Sequence, residues 1–122
     1  MKKLIAVAAF SCMGFMSSAI ASERVDHAAG KPADTLQQAV ANFSEHNKIL
    51  AGLLTKPMDA ETLHEVHMLS YTLENALKKI NAEFTALADT LEEVHLASER
   101  LDGNGVIMHG KDYLSVAQTV VK

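Results

Sequence analysis

The 122-residue chain predicts an all-α fold: antiparallel helical hairpins laid on one long central helix, with coiled-coil-like packing. Two observations lead there. Apolar residues recur at alternating steps of three and four along most of the chain, which is the period of a helix face and not of a strand. Neither Gly nor Pro occurs between residues 59 and 102, so a helix of unusual length is permitted.

The first 21 residues read as a secretory signal. Lys2 and Lys3 supply its positive start, Leu4 to Met16 its apolar run, and Ala19, Ile20 and Ala21 a small-residue exit with cleavage after Ala21. Ser11, Gly14, Ser17 and Ser18 interrupt a stretch that is already short of the ~20 apolar residues a membrane span requires. A lipid anchor on Cys12 is disfavoured because Ala9, Phe10 and Ser11 lack the leucine expected there. The mature chain is therefore expected to be periplasmic or secreted, without a membrane span.

Removal of that segment leaves 9 basic against 15 acidic side chains, a net charge of −6 that makes nucleic acid a poor partner. It also removes the only cysteine. Disulfides, thiolate metal sites, cysteine nucleophiles and covalently held c-type haem are thereby excluded from the mature chain, and stability must come from packing or from a partner chain.

Residues 22–33 have no periodicity and contain Gly30 and Pro32, which predicts a flexible N-terminal arm ahead of a helical domain over 34–122. Asp34, three before Gln37, predicts a capping box opening a first helix of about 34–54. Its stripe is Leu36, Val40, Phe43, Asn47, Leu50 and Leu54. Pro57 ends it and Asp59 caps the next. The central stripe then runs from Leu63 to Leu101 through Val66, Ser70, Leu77, Phe84, Leu91 and Ser98. Thr90 with Glu93 forms a second capping box, so a break near residue 89 would give four helices in place of three. The run DGNG at 102–105 marks a turn, and Ile107, Gly110, Leu114, Ala117 and Val121 set a third helix of about 105–121.

Short turns make neighbouring helices antiparallel, so the stripes can be matched across them. Across the first turn Leu54 meets Leu63, Val40 meets Leu77, and Asn47 meets Ser70, a shared polar layer that would fix register. Across the second turn Ser98 meets Gly110, a close approach of two backbones that would account for a glycine within a helix. The two outer helices together match the length of the central one. Its flanks at Leu69, Ala76 and Ala97 call for further cover, supplied either by a homodimer, the favoured arrangement, or by a monomer that folds back near residue 89 into a compact bundle.

Six histidines are the only hint of metal chemistry. His64 and His67 stand three apart on one helix, with Glu65 or Met68 as a further donor, but zinc usually takes three or four ligands. His67 and His95 are ~42 Å apart on a straight helix and cannot share an ion within one chain. A site would need ligands from a second chain. A b-type haem fits the size of the domain but finds no His and Met facing a common core. No activated nucleophile, phosphate loop or pocketed carboxylate pair is legible, so no enzyme is predicted.

The stretches GKPADTLQQAVANFSEHN, HEVHMLSYTLENALKKI, LEEVHLASERLD and YLSVAQT resemble a family of small exported proteobacterial proteins, domain of unknown function 6746. The resemblance covers nearly all of the mature chain. It implies an exported helical domain and carries no activity, cofactor or functional residue. The expectation is a non-enzymatic helical protein acting through self-association or through another envelope protein. The alternative is transition-metal binding or buffering by His64 and His67, and a haem bundle stands behind both.

Overall fold

The computed structural model describes residues 28–121; the signal segment, Cys12 and His27 lie outside them. Three helices form: α1 (Leu36–Leu53), α2 (Ala60–Glu99) and α3 (Gly103–Val120), with no strand among the described residues. Helix α2 is continuous through Asp89 and Thr90 and runs ~60 Å at 1.5 Å per residue. The Thr90 hydroxyl donates to the Ala86 carbonyl at 3.2 Å, the bond of a residue inside a helix and not of a cap.

The termini of these helices follow local chemistry. Helix α1 starts one residue later than Asp34 predicts. The Thr35 hydroxyl accepts from the Gln38 N–H at 3.1 Å, and the Gln38 side chain accepts from Thr35 N–H at 3.3 Å, closing the capping box at that position. Asp59 caps α2 as predicted, accepting from the Thr62 N–H at 2.9 Å.

The second turn lies two residues ahead of the position read from DGNG. Leu101 adopts φ 57, Asp102 N–H donates to the Ala97 carbonyl at 2.9 Å, and Leu101 N–H to that of Ser98 at 3.1 Å. These two bonds are the Schellman closure, here built on a leucine where glycine is usual. Asp102 at once caps α3 by accepting from Gly105 N–H at 2.9 Å, so Gly103 and Asn104 belong to the first helical turn. Leu101, expected at the end of the central stripe, is 93 % exposed.

Both outer helices pack antiparallel on α2, α1 on its first half and α3 on its second. The contact runs along rows of smaller residues than the sequence stripe implies. Ala39, His46 and Leu53 of α1 are buried against a row of α2 that includes Thr62, Leu69 and Ala76. Ala39 and Ala76 are wholly buried and form, with Ile80, a core flanked by Leu36, Val40 and Phe43. Small side chains let two helix axes approach to the 8–10 Å at which ridges and grooves interlock. The contact is thus displaced by one residue on each helix from the predicted stripe. On α3 the same displacement occurs: Val106, Tyr113 and Val120 are half-buried, whereas Ile107, Leu114 and Val121 are exposed.

Two predicted packing features change accordingly. Asn47 is exposed and the Ser70 hydroxyl donates to the His67 carbonyl of its own helix at 2.6 Å, so they form no polar layer within the chain. Ser98 is likewise exposed and bonds to the His95 carbonyl, and a Cβ added at Gly110 would meet nothing within 4 Å. The close approach is made instead by Gly105, where a Cβ would lie 3.2 Å from that of Ala97 and would collide with the Asp102 carboxylate.

The described part of the N-terminal arm is tied down. The Asn75 amide donates to the carbonyls of Ala29 (2.8 Å) and Lys31 (3.0 Å), and Lys31 N–H donates to the Thr72 hydroxyl at 2.9 Å. Gly30, at φ +67, lets the strap lie flat on α2, since a Cβ there would sit 2.7 Å from the Thr72 nitrogen. The arm therefore behaves as part of the first hairpin from Ala28 onward. Polar groups of α2, Thr72 and Asn75, hold it in place of apolar periodicity.

Candidate functional site

The row displacement leaves an apolar face uncovered. On α2 the heptad row Leu63, Leu77, Phe84 and Leu91 is between 40 % and 54 % exposed. Reversing a helix end for end reverses both the direction it faces and its sense of rotation. The rows one residue beyond the contact rows therefore lie on the same side of each hairpin. Leu54 of α1 and Ile107, Leu114 and Val121 of α3, all exposed, accordingly join the α2 row on one side of the molecule. Asn47, Ser70 and Ser98 are the polar members of these rows.

Meanwhile the interior is thin. Among the described residues no large side chain falls below 2 % exposure, and the residues at 0 % are Ala39, Ala76 and Ala97. A lone chain with this face open leaves much of its apolar surface in water.

The histidines are dispersed. His64 and His95 are exposed, and His95 Nε2 lies 3.3 Å from Glu99. His67 stands edge-on to Tyr71, ring centroids 5.1 Å apart, with its Nε2 3.3 Å from the Tyr71 hydroxyl. His46 is buried, its Nδ1 3.0 Å from the Asn42 carbonyl, and lies at the floor of an open groove of about 450 Å³ with Leu53, Met68 and Leu69. Among the described residues no three His, Cys, Asp or Glu side chains gather as a metal site would require. Sequence reasoning missed the His67–Tyr71 pair, although its i, i+4 spacing was a readable signal. It also missed the strap, whose only signal was a glycine ahead of a proline.

Carboxylate electrostatics mark the scaffold. Bonding to the Lys31 ammonium, with its charge, holds Glu45 below the usual carboxylate range; the pair is 3.1 Å apart and solvent-exposed. Asp59 is lowered chiefly by the Thr62 N–H and then by the Thr62 hydroxyl, as a helix cap should be. No described helix is long and apolar enough to cross a membrane.

Comparison with known proteins agrees with this architecture in being silent about chemistry. The chain belongs to a family of unknown function (DUF6746), whose model matches residues 1–122. Searches of curated proteins and of solved structures give no match.

Proposed function

We propose that this member of the family is an exported, non-enzymatic helical protein that works by associating with a second copy of itself through the open apolar face. The observation that carries the reading is the exposed α2 row, Leu63, Leu77, Phe84 and Leu91, set beside an interior that fully buries nothing larger than alanine. Two adjacent helices ~60 Å long and about 10 Å across present on the order of 1,200 Å² of face. A stable interface takes about 800 Å² from each partner. Covering the face would bury apolar area at about 25 cal/mol per Å². Export is supported by the signal-like residues 1–21.

The test uses the chain beginning at Ser22, purified from a periplasm without a histidine tag. Sedimentation equilibrium is expected to give twice the chain mass, falling on dilution. A compact monomer at high micromolar concentration would sink the reading. Metal content measured on the same sample tests the histidine alternative, which would predict at least one transition-metal equivalent per dimer and its loss in His67→Ala.

A further inference from the structure

We infer that the second copy is mounted with its α2 over α1 and α3 of the first, the two long helices parallel and diagonal, so that Asn47 of each chain meets Ser70 of the other. The inference rests on the self-association reading and specifies its geometry.

Asn47 and Ser70 lie within about one helical turn of each other in height on the open face. Each is one residue on from His46 and Leu69, which line the same groove between α1 and α2. Within the chain they do not bond. The Ser70 hydroxyl spends its proton on the His67 carbonyl and so keeps only acceptor capacity, and Asn47 offers an exposed amide donor. The two are chemically complementary but kept apart by the one-residue displacement of the contact rows.

A twofold axis parallel to α2 keeps every layer at its own height. Asn47 and Ser70 of both copies then make one polar layer, Leu54 and Leu63 form the layer toward the first turn, and Val40 and Leu77 the layer toward the middle. An axis perpendicular to α2 through its midpoint would turn the second copy end for end. Ser70 would then oppose Leu91, Leu63 would oppose Ser98, and the Asn47 amide would be covered by leucine. A buried amide without a partner is destabilising, so polar layers in helical seams select the arrangement that matches them. The parallel axis also leaves His67 and His95 of the two copies far apart, so it assembles no metal site from them.

The mature chain has no cysteine, which makes site-directed pairing unambiguous. Asn47→Cys and Ser70→Cys variants of the chain from Ser22, mixed under mild oxidation, are expected to yield a covalent heterodimer, while neither variant links to itself. A spin label at Glu61→Cys gives an independent readout. The two labels lie at the same end of the parallel pair, within ~30 Å, but at opposite ends of the reversed pair, ~60 Å apart. A long distance together with Ser70→Cys linking to Leu91→Cys would overturn the arrangement and leave self-association standing. Absence of any dipolar coupling in a chain of monomeric mass would overturn both.

Discussion

The two hairpins are built to different standards. The α1–α2 hairpin holds buried Ala39, His46, Leu53, Thr62, Leu69, Tyr71, Thr72, Ala76 and Ile80, and is crossed by the strap from Ala28 to Ala33. The α2–α3 hairpin buries only Ala97 and Gly105 among the described residues, and its turn carries a leucine at φ 57. The open apolar face runs along both hairpins, but the first has a core of its own behind it, whereas the second has only a contact row. On our reading, the second copy covers both halves, and the α3 half, with no core of its own, depends on it more.

The largest expected effect separates the halves directly. Leu53→Ala removes a side chain that is 4 % exposed and is expected to lower stability by about 3 kcal/mol at every chain concentration. Leu114→Ala, at a site half exposed in the single chain, is expected to lose a similar ~3 kcal/mol only where the chain is paired, and under about 1 kcal/mol where it is dilute. Urea unfolding at two concentrations decides this. Equal losses for Leu114→Ala at both would break the comparison.

A smaller effect concerns the second turn. A non-glycine residue in the left-handed region costs about 1–2 kcal/mol, and Leu101 gains almost no burial there. Leu101→Gly is expected to raise stability by about 1 kcal/mol, read as a higher unfolding midpoint with unchanged slope. A lower midpoint would mean that Leu101 is covered in the assembly.

The smallest expected effect lies at the first turn. Because the Asp59 carboxyl is held below its ordinary 3.8 in the folded chain, its contribution is fully present above that value. It is lost as pH falls through the folded value. Asp59→Asn should flatten the acid limb of the stability profile while leaving neutral pH little changed, and an unaltered acid limb would remove Asp59 from the account.

Much of the scaffold was legible from residues. Pro57 with Asp59 located the first turn, the Gly- and Pro-free run gave an unbroken α2, and the antiparallel order followed from short connections. The boundaries slipped where two capping groups competed, Asp34 against Thr35, because a one-residue choice rests on which side chain reaches the N–H groups. The second turn slipped because glycines at 103 and 105 suggested a loop, while the required left-handed residue was a leucine that no propensity would choose. The open face is hidden in the sequence for a related reason: its residues have the same period as an intrachain seam.

Sequence by itself determined the helices, their approximate lengths, the heptad spacing and their antiparallel order. These depend on local propensity, caps and period, which a chain carries residue by residue. Only the tertiary structure decided which row makes the contact. On α2 the apolar arc extends from Ala76 through Ile80 to Leu77, and period alone does not say which edge a neighbour will take. Close approach favoured the row of alanines, small enough to bring the helices together. That choice turned the large side chains of the adjacent row outward, leaving Asn47 and Ser70 side by side and unjoined on the open face.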